Sequence, residues 1–149
     1  MVSLAVGDNR SHEPGEDALA VRLRVFPELA SAAALFGTLD LVDALTEIFM
    51  ARRCASSAVE LCRLDAEFWL LISEAVGTPA ERSAVRAVLA TLAQHSEWYV
   101  SAVLAESAAA LQLGRLVGAI RSADGARAAR AASGLLMTGL ESAGAELRV

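Results

Sequence analysis

An all-α fold, a single antiparallel bundle of about six helices, is what this sequence predicts, and three observations predict it. The 149 residues are 55% hydrophobic but only 5% aromatic, so the apolar content is carried by Ala, Leu and Val, which suits packed helices. Apolar residues recur at helical spacing from Ala18 onward, and no alternating stretch reads as a strand. The breaks are short: Gly37, Gly77-Thr78-Pro79 and Ala123-Asp124-Gly125. A chain of this length forms one domain, burying about 68–70% of its unfolded surface without a metal or disulfide staple.

Residues 1–18 are polar and marked by Gly and Pro, and are expected to form a mobile tail before a single helical domain over 19–149, with His12 in the tail. A first helix is expected over 20–36, where Pro27 removes an amide donor and should kink it or mark its beginning. A second should run over 38–52. The third, over 55–76, carries a stripe of Cys62, Ala66, Trp69, Ile72 and Val76, with Asp65 inside it; an acid on an apolar face needs a partner or a purpose. The fourth has the clearest start, since Thr78, Pro79 and Glu81 form a capping box, and should reach about Leu104. Its stripe of Ala84, Val88, Leu92, His95, Tyr99 and Ala102 turns His95 inward, beside Trp98. A fifth helix over 107–122 presents Leu113, Leu116, Val117 and Ile120. A sixth, capped by Asp124, continues to about Leu147 with Ala128, Ala131, Leu135 and Gly139 on its stripe.

Composition removes several function classes. A formal charge of -5 leaves little scope for an extended phosphate-binding surface, so no direct nucleic-acid partner is expected. The two histidines cannot supply a three-imidazole site. Cys54 and Cys62 stand roughly 12 Å apart along one helix, beyond disulfide reach, as expected of small hydrophobes in a reducing cytoplasm. No apolar stretch reaches the ~18–20 residues of a membrane span, and the N-terminus has no basic, apolar leader pattern. Neither a phosphate loop, a nucleophile elbow, Cys-x-x-Cys nor HExxH is present. Gly134 and Gly139 with small neighbours permit close helix approach, compatible with a homodimer through an apolar helix face.

Four motifs in order carry a resemblance covering the chain from about Arg22 onward. They are Arg24-Val25-Phe26-Pro27-Glu28, Asp65-Ala66-Glu67-Phe68-Trp69, Glu74-Ala75-Val76-Gly77-Thr78, and Leu113 through Asp124 with Ala119-Ile120 and Ala123-Asp124. Together they resemble the ligand-binding FCD domain of FadR-type GntR transcription regulators. Many members hold a metal through one aspartate and three histidines, and the metal holds a ligand carboxylate. Carried over by position, the resemblance keeps the aspartate as Asp65 and puts Trp69, Leu113 and Leu135 where the histidines would be. One carboxylate among apolar neighbours cannot hold a divalent transition metal, so neither a metal nor another cofactor is expected. The family's winged helix-turn-helix needs roughly 60–70 residues ahead of this domain; the segment before Arg22 is shorter, and a standalone domain is expected.

The candidate ligand-binding residues are Arg24, Asp65, Trp69, Leu92, His95, Trp98, Tyr99, Leu113 and Leu135. Arg24 matches an arginine that reaches the ligand in several relatives of that kind, and could hold a carboxylate bidentately or form a surface salt bridge. Asp65 is either a relic paired with Arg24 or Arg115 or, if buried alone, an acid–base group. His95 could bind a ligand, move a proton or sit satisfied in the core. Trp69, Leu113 and Leu135 could line a cavity or fill the core, and Arg127 and Arg130 are a solvated face. Three functions follow. The first is metal-independent binding of a small hydrophobic molecule, an organic acid among the candidates. The second is a cofactor-free isomerase, cyclase or lyase using Asp65, His95 and Tyr99. The third is an interaction module pairing with a full-length regulator.

Overall fold

The structure, a computed structural model, describes residues 13–148, and His12 lies outside them. Seven α-helices and no strand make up the described residues: α1 Pro14–Phe36, α2 Leu39–Cys54, α3 Ala58–Val76, α4 Pro79–Gln94, α5 Ser96–Ala108, α6 Ala110–Arg121 and α7 Gly125–Leu147. The seventh arises because the long fourth helix expected from the sequence is two. His95 has φ -121° and ψ 60°, ends α4 and starts α5, and its own amide bonds to the carbonyls of Thr91 and Leu92. A histidine expected on a continuous inward stripe therefore sits at a corner, half-buried.

Local chemistry sets most boundaries. Thr38, Ser57 and Asp124 cap α2, α3 and α7 through side-chain oxygens, and Thr78 with Glu81 closes the expected capping box on α4. Pro14 opens α1 at a position that needs no amide donor, so the helix takes in residues 14–18 of the expected tail, and Ala18 is buried. Pro27 neither begins nor ends α1; it is buried within it, leaving the Leu23 carbonyl without its usual amide partner.

Helix α1 is the axis of the bundle. It packs along α7 over most of its length and also touches α3, α4, α5 and α6. Phe26, Leu29, Ala30 and Ala33 of α1 are fully buried, together with Phe68, Trp69 and Ile72 of α3 and Leu135 and Leu136 of α7. Trp69 stacks on Phe26 with ring centroids 4.7 Å apart and takes the edge of Phe68 at 5.2 Å, which fixes three large side chains against one another. The α3 stripe is rotated from the expected one: Leu61, Leu64, Asp65, Phe68, Trp69, Ile72 and Ser73 are buried, while Cys62, Ala66 and Val76 are half-buried. At Ala109 the chain turns 79° between α5 and α6, which brings the end of α5 beside α2 and the start of α6. No single described helix is long and apolar enough to cross a membrane.

Candidate functional site

Four helices converge on a polar cluster in the middle of this apolar core. Arg22 of α1 is 1% exposed, Asp65 of α3 and Glu106 of α5 are 0% exposed, and Arg52 of α2 is 5% exposed. Each arrives by ordinary helical periodicity. Arg22 stands four residues before Phe26 on the buried stripe of α1, Arg52 four after Ile48 on that of α2, and Glu106 seven after Tyr99 on that of α5.

The geometry is an open chain of ion pairs, Glu106 to Arg22 to Asp65 to Arg52. The Arg22 guanidinium donates to both oxygens of Glu106, Nη1 to Oε2 at 2.5 Å and Nη2 to Oε1 at 2.9 Å, and Nη2 also donates to Asp65 Oδ1 at 2.8 Å. Arg52 Nη1 reaches the same Asp65 oxygen at 3.3 Å, and Nη2 reaches the Ser107 hydroxyl at 3.4 Å. The Tyr99 hydroxyl donates to Asp65 Oδ2 at 2.6 Å and lies 3.2 Å from the Cys62 carbonyl. The rings of Phe26 and Tyr99 lie within about 6 Å of the guanidinium carbon of Arg22. Two buried cations thus face two buried anions, and the pairing that makes such burial tolerable is present. The Nε atoms of both arginines are buried without an acceptor.

Burial alone would push the Asp65 carboxyl up, but the charges of Arg22 and then Arg52, with the Tyr99 hydrogen bond, outweigh it and hold Asp65 below the usual carboxylate range. Glu106 goes the other way. Burial raises it, Arg22 only partly opposes this, and the nearby Asp65 charge adds to the rise. The cluster's first proton therefore goes to Glu106. Tyr99 is raised by burial and by the Asp65 charge, and Cys62 is pushed up to about 11 chiefly by burial, so both stay protonated at neutral pH.

A backbone feature makes room for Glu106. A Cβ on Gly139 of α7 would lie far inside contact distance of the Glu106 carboxylate and 3.1 Å from the Ala102 carbonyl. Gly139 therefore serves close packing within the chain, between α5 and α7. Gly134, by contrast, has open space above it. Beside the cluster, Phe49, Arg52, Arg53, Ser107, Ala110 and Leu113 line a cleft of about 190 Å³. Arg52 borders both this cleft and Asp65, and Ser107 is the residue after Glu106.

The sequence-predicted residues fall into three groups. Asp65 and Tyr99 are in the cluster. Trp69, Leu92, Trp98, Leu113 and Leu135 are core residues: Trp69 beside Phe26, Trp98 over Gly15 of α1, and Leu113 also at the edge of the cleft. Arg24 is exposed and His95 half-buried, and among the described residues neither makes a side-chain hydrogen bond or ion pair. Arg24 thus stands outside, and Arg22, one hundred degrees per residue around the same helix, takes the inward place. The partners of Asp65 are Arg22 and Arg52, in place of the expected Arg24 or Arg115, and Arg115 is exposed. Arg22, Arg52 and Glu106 were not singled out from the sequence.

Neither the acid–base pair nor the metal fits this arrangement. His95 makes no hydrogen bond or ion pair with Asp65, and Asp65, held ionised between two arginines, is a weak base. For a divalent ion, both Asp65 oxygens are already taken and Trp69, Leu113 and Leu135 offer no donor atom. Among the described residues no three His, Cys, Asp or Glu side chains are placed to hold a metal ion together.

Comparison with known proteins gives one family. The model of the FCD domain matches residues 17–137, most of the helical bundle and all of the cluster. No curated protein and no solved structure matches the chain.

Proposed function

The chain belongs to the FCD domain family, the ligand-binding regulatory domain of GntR-type regulators, and on that premise we propose that it binds a small organic acid without a metal. The observation that supports this is the Arg22–Glu106 pair: a guanidinium fork at the centre of the bundle is engaged bidentately by a carboxylate, the geometry an organic acid would adopt. Here the chain's own Glu106 occupies the position. The incoming carboxylate displaces it, approaching through the cleft past Ser107 with its head toward Arg52 and its apolar body against Phe49, Ala110 and Leu113. Burial raises the affinity of Glu106 for a proton, which weakens its hold on Arg22 and favours this exchange.

The pocket is thus a closed one that opens on binding, and the apolar partner expected from the sequence becomes an amphipathic acid. The reading places the domain in the cytoplasm, where the free thiols Cys54 and Cys62 stay reduced. It also includes a homodimer built on the corner between α1 and α2, where Leu35, Phe36 and Leu39 are 57%, 75% and 71% exposed.

A second reading has its own support. The cluster is complete as it stands, with Glu106 fully buried, and such a core suits an interaction module that pairs with a full-length regulator and takes no ligand. Native mass spectrometry of protein purified from its own host separates the two. A co-purifying organic acid, lost in Arg52→Gln, is the expected result. An empty chain that also ignores a panel of aliphatic and aromatic monocarboxylates favours the module.

A further inference from the structure

A second site, independent of the core cluster, lies in the groove between α6 and α7. These helices are joined by a tight turn at Ser122–Asp124, in which Ala123 adopts the left-handed conformation with φ 57°. Along the groove, Gln112, Arg115, Arg127, Arg130, Ala131 and Gly134 line a cleft of about 280 Å³. Three of these six are arginines and none is acidic.

Three unpaired arginines in one cleft are what sets it apart. Four other exposed arginines face a carboxylate, Arg63 with Glu67, Arg86 with Glu74, Arg121 with Asp43 and Arg148 with Glu16, while among the described residues Arg24 and Arg53 are exposed without an ion pair but outside this cleft. Among the described residues Arg115, Arg127 and Arg130 have no ion pair and no side-chain hydrogen bond. The chain has 18 acidic residues against 13 basic, all arginine, so an acid-free cleft with three unpaired guanidinium groups concentrates positive charge against the composition of the molecule. Two further features give the cleft a shape and a polarity. The side-chain oxygen of Gln112 is buried with no donor, and an added Cβ at Gly134 would meet nothing, so the cleft is open there.

We propose that this cleft binds a phosphate monoester whose organic part carries a hydroxyl. Guanidinium forks match phosphate oxygens in pairs, and a monoester carries about -1.5 to -2 charge at pH 7, enough to engage all three arginines. The hydroxyl supplies the donor that Gln112 lacks, which distinguishes an ester from inorganic phosphate. The cleft is close to the lower end of the volumes of small-molecule sites, suited to a compact ligand.

The test is calorimetric titration of the full chain with glycerol 3-phosphate, inorganic phosphate and glycerol. The ester is expected to bind roughly tenfold more tightly than phosphate, the worth of about one well-placed hydrogen bond, and glycerol not at all. Arg127→Gln with Arg130→Gln should weaken the ester by at least about tenfold. Gln112→Ala should reduce it to the level of phosphate. Gly134→Leu, which suits a helix and fills the cleft, should weaken both anions with the helical circular dichroism unchanged. Absence of ester binding to the wild type would overturn the proposal, as would binding indifferent to the arginine pair or to Gly134→Leu. Equal affinity for ester and phosphate would overturn the assignment to an ester. Glu106 variants leave this site intact, so its failure and that of the core carboxylate site are separately visible.

Discussion

At the scale of single residues, the cluster behaves as one unit with unequal members. Removing one partner of a buried ion pair leaves the other charge uncompensated, which costs about 3–5 kcal/mol. Arg22→Met should therefore be among the most destabilising changes in the chain, as measured by urea unfolding. Glu106→Gln should cost clearly less than Glu106→Ala, because the amide keeps the shape and an oxygen that accepts from Arg22, whereas alanine leaves a cavity and an unpaired guanidinium. Asp65 gives the pH dependence. Its folded value lies below the ordinary 3.8, so its contribution is fully present above 3.8 and is lost as the pH falls through the folded value. The stability difference between wild type and Asp65→Asn should accordingly be constant at neutral pH and shrink below pH 3.8 in a series of denaturant titrations. Of these residues, Asp65 was legible in the sequence because an acid interrupts an apolar stripe. Arg22 and Arg52 carry the same signal, but Arg52 ends the apolar stripe of α2 and so resembles a solvated arginine, and Arg22 lies next to the stretch expected as a tail while Arg24 fits the motif spacing better.

At the scale of helices, capping chemistry is local and so could be seen in the chain alone. Thr78, Pro79 and Glu81 place the start of α4 to the residue, and Asp124 that of α7. The break at His95 has no such signal. Both sides of it continue the same apolar period, and the difference lies in tertiary packing: α4 packs chiefly against α1 and α5 chiefly against α7. That break also hid Glu106: a helix expected to end near Leu104 stops two residues short of it. Gly139 shows how closely two helices are fitted around that carboxylate. Any Cβ there displaces Glu106 from α7, so Gly139→Ala should lower the thermal midpoint although alanine is the better helix former. Gly134→Ala, over open space on the same helix, should leave the midpoint unchanged or raise it.

At the scale of the molecule, the fold class, the order of helices and the apolar core follow from composition and period, and the family from four short motifs in order. The state of the interior does not. Periodicity shows that Trp69, Leu113 and Leu135 face inward; whether they surround space or fill it depends on how α1, α3 and α7 mesh, and they fill it. On the function proposed above, this makes the cluster a ligand site whose resting occupant, Glu106, is supplied by the protein itself. The corner formed by Leu35, Phe36 and Leu39 adds a test of the proposed dimer: wild type should sediment as a dimer and Phe36→Glu with Leu39→Glu as a monomer, with helix content retained. The most direct measurement of the central claim is the denaturation midpoint of Glu106→Ala as acetate is raised at constant ionic strength. If Arg22 recognises a carboxylate from outside the chain, acetate restores stability to the variant and chloride does not, while the wild type, where Glu106 competes for Arg22, responds more weakly to acetate. A midpoint in Glu106→Ala that is the same in acetate and chloride would contradict the account.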